Sequence, residues 1–147
     1  MIVENKYLED IKRKENNSGY ITEESNEMLI NNDDILKIVY LENNVPAGYI
    51  AVYTKDDFCK LENFPDKIGK EENVAYIWEI VTDKNYMGKG IASKLMQYVL
   101  EKFKGYKIYS CIAKDNIPSL KLHEKYGFKE AYQFTNDKEQ LMLLKNN

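Results

Sequence analysis

The segment Asn85–Leu95, NYMGKGIASKL, places two glycines one residue apart and then continues as a helix pattern. The run AYIWEIVT before it, residues 75–82, is continuously apolar, as expected of a strand covered on both faces. From Ile91 to Phe103, apolar residues recur every four positions and predict an amphipathic helix. The unpaired N–H groups and the dipole at the start of such a helix favour a bound anion, most naturally a phosphate.

The rest of the chain predicts an alternation of helices and strands in one domain, residues 1–147. The Lys55–Asn73 segment is polar and long, and we interpret it as a substrate-side flap. The expected order is α-α-β-β-β-α-β-α-β-β, an α/β fold in which helices flank a central mixed sheet. The remaining predicted elements are a helix over NKYLEDIKRKE (5–15), a helix beginning at Thr22, a hairpin of ILKIVYL (35–41) and PAGYIAVYT (46–54), a strand YKIYSCIA (106–113), a helix from Asn116 to Gly127, and final strands EAYQF (130–134) and EQLMLL (139–144).

Composition narrows the possible functions. A net charge of −3 and a pI near 5.3 argue against a nucleic-acid partner. No apolar run is long enough for a membrane span, and the N-terminus lacks the layout of a secretory signal. Cys59, Cys111 and the single histidine, His123, stand in unrelated contexts, so we expect neither a disulfide framework nor a bound metal. The sequence therefore predicts a cytoplasmic protein.

The segment around Gly88 and Gly90, called the glycine turn below, fits two nucleotide-binding patterns poorly. In the nucleoside-triphosphate loop a Ser or Thr follows the lysine, whereas here Gly90 follows Lys89. In the dinucleotide fingerprint, Ser93 would replace the third glycine. That fingerprint also requires an acidic residue for the ribose, and none lies at 109–112.

A third pattern uses more of the chain. The run NYMGKGIASKLMQYVL (85–100) resembles the acetyl-CoA pyrophosphate loop of the GNAT N-acetyltransferase superfamily, and DNIPSLKLHEKYGFKE (115–130) resembles its second signature. The order of elements matches as well. Asn85 and Met87 depart from the loop motif, where Gln or Arg and often a further Arg stand. Lys84, Lys89 and Lys94 are then the available cations.

The resemblance implies a set of acetyl-CoA-binding residues. Main-chain N–H groups of the glycine turn would bind the diphosphate. A main-chain N–H near the end of the preceding strand would polarise the thioester carbonyl, and side chains of the second signature would contact the pantetheine arm or the diphosphate. The implied residues are Met87, Gly88, Lys89, Gly90, Ile91 and Ala92 for the diphosphate, Ile80, Val81 and Thr82 for the carbonyl, and Asn116 and Ser119 for the second signature.

Two catalytic residues are predicted. Glu79 shares a strand face with Ala75, Ile77 and Val81, and we expect burial to raise its pKa towards the range a base needs. A water chain, or a Glu at a strand edge, is the alternative. At the position where the resembling signature commonly has a tyrosine near the sulfur, this chain has His123, the predicted acid. A half-buried helix histidine is its structural alternative, with Tyr126 or Tyr86 as substitute acids.

The leading functional hypothesis is an N-acetyltransferase that moves the acetyl group of acetyl-CoA to a primary amine, a small molecule rather than a protein, with no metal. A non-catalytic acyl-CoA-binding sensor is the alternative. The sequence leaves open the acceptor's identity and whether the final strands pair in a homodimer.

Overall fold

The structure is a computed structural model that describes residues 1–13, 27, 29–62, 64, 68, 70–135 and 139–147. A 3-10 turn, Lys84–Tyr86, precedes the glycine turn. In chain order, the other elements are β1 (Ile2–Glu4), α1 (Leu8–Arg13), β2 (Ile35–Glu42), β3 (Val45–Tyr53), α2 (Phe58–Leu61), β4 (Val74–Thr82), α3 (Ile91–Lys102), β5 (Lys107–Ala113), α4 (Ile117–Lys125), β6 (Lys129–Thr135) and β7 (Glu139–Asn146).

The strands form one seven-stranded sheet in the order β1-β2-β3-β4-β5-β7-β6. β4 and β5 are parallel, with partners from Val74↔Lys107 to Ile77↔Ser110, and β4 continues to Thr82. The pairs β1/β2, β5/β7 and β6/β7 are antiparallel. The predicted mixed sheet with helices is therefore confirmed.

The chain divides into two compact units, each built from two segments. Unit 1 comprises Met1–Val52 and Trp78–Lys102, and unit 2 comprises Tyr53–Ile77 and Phe103–Asn147. β4 contributes its first four residues to unit 2 and the rest to unit 1. The glycine turn and Glu79 belong to unit 1, and His123 belongs to unit 2.

In unit 1, α3 packs against the sheet through the apolar stripe that the sequence predicts. This helix contacts β2, and its buried residues are Ile91, Leu95, Met96 and Val99. On its outer side, the Lys102 Nζ and the Tyr98 hydroxyl donate hydrogen bonds to the Glu4 carboxylate. These two bonds lower the pKa of Glu4 and fix β1 to α3.

In unit 2, an aromatic cluster connects α2 with the strands. The Phe58 ring stacks on Tyr76 at 4.5 Å between centroids, and the Phe64 ring stacks on Phe134 at 5.0 Å. Phe58 and Tyr76 are both buried. Stacked rings at these distances add directional attraction to their apolar burial.

The predicted hairpin is confirmed, with one difference in its turn. Glu42 belongs to β2, so the connection consists of Asn43 and Asn44 alone. Both have positive φ, 51° and 64°, which is the requirement of a two-residue hairpin turn that follows the right-handed twist of the strands. Asparagine tolerates this conformation better than most residues.

The N-terminal prediction is partly wrong. Asn5 and Tyr7 have positive φ and are not helical, so the predicted helix begins only at Leu8. The Asn5 side chain accepts a hydrogen bond from the Lys37 N–H, and its own N–H donates to the Lys37 carbonyl. These bonds extend the pairing of the unpredicted strand β1 with β2. The predicted helix start at Thr22 lies outside the described residues.

The described residues of the Lys55–Asn73 segment include a helix that its composition did not predict. This short helix is α2, in which Phe58 and Cys59 have no exposed surface. Four residues are too few to show a helical period in the sequence. The sequence-based interpretation of this segment as a substrate-side flap stays a prediction.

Candidate active site

The glycine turn has the geometry that its sequence predicts. The Asp83 N–H donates to the Ala47 carbonyl at 2.8 Å, and the Asp83 side chain accepts from the Asn85 N–H at 2.9 Å. Gly88 and Gly90 then adopt φ of 83° and 75°, and α3 begins at the next residue, Ile91. Left-handed φ is the reason for glycine at both positions, because an added Cβ would meet no atom within 4 Å.

The turn exposes its backbone. Residues 87–90 are exposed, whereas Ile91 is buried and anchors the first turn of α3. The first N–H groups of an α-helix have no acceptor within the helix, and together with the dipole they create a partial positive charge. An exposed turn with this conformation is therefore suited to a diphosphate.

Gly48 of β3 allows β4 and α3 to come close together. A Cβ at this position would lie 2.8 Å from the Val81 carbonyl oxygen and 3.1 Å from the Ile91 Cγ2. The end of β4 and the start of α3 therefore both pack against a position that has no side chain. A glycine inside a strand marks such a close backbone approach.

Two lysines beside the turn are held by tyrosine rings. The Lys89 Nζ lies 5.5 Å from the centroid of Tyr86. The Lys94 Nζ lies 5.3 Å from the centroid of Tyr40 and donates to its hydroxyl at 3.2 Å. Met87, at the position of a common arginine in the resembling motif, is 62% exposed. Positive charge near the turn thus comes from lysines.

Glu79 is a buried carboxylate with a tyrosine partner. It retains 8% of its exposed surface, in a strand that is otherwise mostly apolar. The hydroxyl of Tyr49, on the neighbouring strand β3, donates to Glu79 Oε2 at 2.8 Å. Burial raises the pKa of Tyr49, and the charge of Glu79 raises it further. The hydroxyl therefore stays protonated and remains a donor.

The three residues after Glu79 end the strand. Val81 is buried, and Ile80 and Thr82 are half-buried. The main chain at this end is fixed on one side by the close approach of Gly48 to the Val81 carbonyl.

In unit 2, His123 is fully buried rather than half-buried. Its Nδ1 lies 2.7 Å from the Ser119 carbonyl oxygen, and its ring meets Phe128 edge to face at 4.9 Å. A carbonyl oxygen only accepts, so Nδ1 carries the hydrogen and Nε2 has the lone pair. Nε2 is buried with no hydrogen-bond partner among the described residues. Burial lowers the pKa of His123, against the opposing effect of the Ser119 carbonyl.

Asn116 and Ser119 lie at the start of α4, both half-buried. Asn116 occupies the N-cap position as predicted, but its side chain makes no capping hydrogen bond. Its carbonyl instead accepts from the Leu120 N–H at 3.1 Å. The Asn116 side chain is therefore not used to stabilise the helix start.

The predicted site residues thus fall into two groups. Unit 1 holds the glycine turn, the end of β4 and Glu79, and unit 2 holds Asn116, Ser119 and His123. Sequence reasoning missed Gly48 and Tyr49. For Gly48, a glycine within a strand pattern was a signal that the sequence offered. The role of Tyr49 is visible only from its side-chain contact with Glu79.

No group of three or more His, Cys, Asp or Glu side chains in the described part of the chain is arranged to hold a metal ion. Of the helices within the described ranges, none has the length and apolar character needed to cross a membrane.

A strand, a left-handed glycine turn and the exposed start of a helix are typical of a protein that binds a phosphate-bearing ligand. Residues 5–128 match the profile of the Acetyltransferase (GNAT) family. Since this match covers most of the chain, the chain belongs to that family.

Relatives agree with this assignment. A probable spermine N(1)-acetyltransferase of Bacillus subtilis subsp. natto is 32% identical over 88 residues, which cover 54% of this chain and 57% of that relative. The chain thus spans little more than half the length of this curated relative. An N-acetyltransferase from Staphylococcus aureus superposes with a TM-score of 0.65 at 25% identity, over 83% of this chain and 79% of that one.

A more distant structure shares the fold over the whole length. Arabidopsis thaliana NAA60 in complex with acetyl-CoA superposes with a TM-score of 0.72 at 15% identity, covering 100% of both chains. At this identity the likeness shows the fold alone. The predicted GNAT-like fold is confirmed.

Proposed function

We propose that the chain is an acetyl-CoA-dependent N-acetyltransferase that acts on a primary amine by direct attack in a ternary complex. The observation that carries the proposal is the turn before α3, in which Gly88 and Gly90 both have left-handed φ and open space around them. Membership in the Acetyltransferase (GNAT) family supports the activity.

The residues of the turn fit the diphosphate of acetyl-CoA. Main-chain N–H groups from Met87 to Ala92 would bind it, with the helix dipole adding attraction. Lys84, Lys89 and Lys94 would supply the charge that Met87 does not. Asn116 and Ser119 would contact the pantetheine arm or the diphosphate, and the absence of a capping bond leaves the Asn116 amide available for this contact.

The chemistry needs little covalent help, because a thioester is already activated. Holding the amine and the thioester in attack geometry replaces several kcal/mol of entropic barrier. The neutral amine nitrogen bonds to the acetyl carbon and loses a proton as the amide forms. The carbon–sulfur bond breaks, its electron pair leaves with the sulfur as a thiolate, and the thiolate takes up one proton. A main-chain N–H among Ile80, Val81 and Thr82 would polarise the carbonyl oxygen during this step.

Glu79 would act as the base. An alkylammonium must lose one proton before its nitrogen can attack, and Glu79 would take that proton and pass it to solvent. Its burial and its fixed partner Tyr49 support this role, because a base contributes most when its carboxylate has one orientation.

The described contacts favour a neutral His123 over an imidazolium. Burial lowers its pKa, and Nδ1 donates to the Ser119 carbonyl, so in the resting state Nε2 carries no proton that it could give to the thiolate. The acid role predicted from the sequence therefore requires that the ring first take up a proton. Tyr126 and Tyr86 are the alternative donors to the thiolate.

For the acceptor, we propose a small polyamine. The relative from Bacillus subtilis subsp. natto is named a probable spermine N(1)-acetyltransferase, and the negative net charge of this chain attracts a polycation weakly. A polyamine offers primary ammonium groups of the kind that need a base.

The test is a thiol-release assay with acetyl-CoA over spermine, spermidine, free lysine and a lysine-bearing peptide, alongside a calorimetric titration with acetyl-CoA. We expect turnover with the polyamines and saturable binding. Glu79→Gln should lower kcat about 100-fold or more while the Kd for acetyl-CoA is unchanged. Glu130→Gln, at an exposed carboxylate on β6, is the matched control and should behave as wild type.

Each contrary outcome has a distinct meaning. Binding without thiol release from any amine would overturn the enzyme and favour the acyl-CoA sensor. Turnover of the peptide alone would contradict the proposal that the acceptor is a polyamine. Normal turnover by Glu79→Gln would contradict the role of Glu79 as the base, and a water chain would then be the alternative.

A further inference from the structure

The contact between Tyr49 and Glu79 is a buried polar pair on neighbouring strands. Tyr49 is 2% exposed and Glu79 is 8% exposed, and the hydroxyl of Tyr49 donates to Oε2 at 2.8 Å. β3 is otherwise buried from Ala47 to Tyr53. A hydrogen bond to an ionised group in such surroundings is stronger than a neutral one.

This bond restricts the carboxylate in two ways. It fixes the rotation of the carboxylate about its terminal torsion, so that Oε1 keeps one direction relative to β4. A hydroxyl that donates to a carboxylate also favours the ionised form of that carboxylate, and the raised pKa of Tyr49 keeps the hydroxyl protonated. Tyr49 is a titratable group that β3 places in hydrogen-bond contact with this carboxylate.

We propose that Tyr49 is a positioning residue that holds the Glu79 carboxylate in the orientation and ionisation state needed to take a proton from the acceptor's ammonium group. The inference rests on the proposed function, since the role of Glu79 as base belongs to it. Tyr49 itself neither gains nor loses a proton in the reaction. The proton moves from the ammonium nitrogen to Glu79 and from there to solvent.

The first variant is Tyr49→Phe, which keeps the ring and removes the hydroxyl. The expected kcat is lower by about tenfold to 100-fold at pH 7, which is the usual size of a hydrogen bond to a charged group, while the Kd for acetyl-CoA is unchanged. The acid limb of the kcat profile should move up by about one pH unit, because a carboxylate without its donor is harder to ionise.

A control for the loss of a tyrosine–carboxylate bond lies on α3. The Tyr98 hydroxyl donates to Glu4 Oε2 at 2.5 Å in a partly buried contact, so Tyr98→Phe removes a bond of the same kind. Neither Tyr98 nor Glu4 is among the proposed site residues. Tyr98→Phe should leave kcat and its pH profile as in wild type.

A double-variant cycle shows whether Tyr49 acts through Glu79. The double variant Tyr49→Phe with Glu79→Gln should lose no more kcat than Glu79→Gln alone, because the group that Tyr49 positions is already gone. If the two losses multiply, Tyr49 acts independently and the inference is wrong. It is also wrong if Tyr49→Phe shows wild-type kcat and an unmoved acid limb.

Failure of the inference can be told from failure of the proposed function. Loss of kcat in Glu79→Gln with none in Tyr49→Phe overturns the inference alone. If Glu79→Gln loses no kcat, Glu79 is not the base, and the inference about Tyr49 is wrong as well. Should Tyr49→Phe not fold, 3-fluorotyrosine at position 49 keeps the size of the ring and makes its hydroxyl a stronger donor. The acid limb should then move to lower pH, and an unmoved limb contradicts the inference.

Discussion

At the residue scale, the chain buries two ionisable side chains in different surroundings. Glu79 accepts a hydrogen bond from the Tyr49 hydroxyl, whereas burial lowers the pKa of His123 and favours its neutral form. The hydrogen bond gives the Glu79 carboxylate a fixed neighbour on β3. A histidine kept neutral mainly contributes packing against Phe128 and a hydrogen bond to the Ser119 carbonyl.

The neutral state of His123 predicts how stability depends on pH. Its pKa in the folded state is lowered, whereas in the unfolded chain it is ordinary, about 6.5. The stability that it contributes is present above that value and is lost as the pH falls below it. The slope between pH 6.5 and the lower folded pKa is at most about 1.4 kcal/mol per pH unit.

This prediction is checked by urea unfolding between pH 7.5 and pH 5. His123 is the only histidine in the chain, so His123→Phe should remove most of the slope in this window. An equal slope in the variant would mean that His123 is not the group responsible. If the same variant keeps wild-type kcat and acetyl-CoA affinity, the acid role is wrong as well.

At the element scale, the position of the glycine turn depends on backbone features of three elements. Gly48 in β3 permits the close approach of β4 and α3, and Gly88 and Gly90 turn the chain from one to the other. None of these features depends on a side chain. Substitutions at the glycines therefore test the geometry of the turn without removing a functional group.

Gly90→Ala should weaken the binding of acetyl-CoA about tenfold or more. Alanine at φ 75° costs about 1–2 kcal/mol, and relaxation of that strain would redirect the N–H groups of the turn. Gly105→Ala is the matched control, because Gly105 has φ 90° and equally open space at the end of α3. Calorimetric titration should show weaker binding only in Gly90→Ala, although both variants are destabilised similarly. Equal affinities would contradict the role of the turn.

Gly48→Ala should affect both stability and binding. Its Cβ would lie 2.8 Å from the Val81 oxygen, so the end of β4 must shift, at a cost of about 1–3 kcal/mol in unfolding free energy. A shifted β4 also moves the start of α3, which lowers the affinity for acetyl-CoA. Val45→Ile adds a methyl group at a 46% exposed position of the same strand and should change neither quantity. Wild-type stability of Gly48→Ala, measured by urea unfolding, would show that the site holds a methyl group without strain.

How far the sequence predicts these elements depends on their length. The strand 75–82 and the helix from Ile91 were predicted within a residue or two, because each has enough positions to show its period. β1 and α2 have only three and four residues, which are too few to show a period, and tertiary contacts fix these two elements. The Tyr49–Glu79 contact was not predictable from either strand alone, since it depends on how two strands are paired.

At the scale of the whole molecule, we propose that the chain is one domain despite its two compact units. Each unit consists of two separate stretches of sequence, and β4 contributes to both. Loss of either unit would therefore remove part of the same strand's hydrogen bonds. β6 lies at an edge of the sheet, whereas β7 lies between β5 and β6, so the pairing in a homodimer that the sequence leaves open would involve β6.

One domain predicts one cooperative unfolding transition. Fluorescence of Trp78, the only tryptophan, reports on unit 1, and pulse labelling of Cys59 and Cys111 reports on unit 2. In urea, both probes should give the same midpoint and slope. Separate midpoints would show that the units unfold independently and would replace the single domain with two.

The central claim is that main-chain N–H groups at the start of α3 bind the diphosphate of acetyl-CoA. A crystal structure of the chain with coenzyme A tests it most directly. The expected result is diphosphate oxygens within hydrogen-bond distance, about 3 Å, of N–H groups between Met87 and Ala92. Diphosphate density bound elsewhere, with the turn unchanged and free of ligand, would contradict the account.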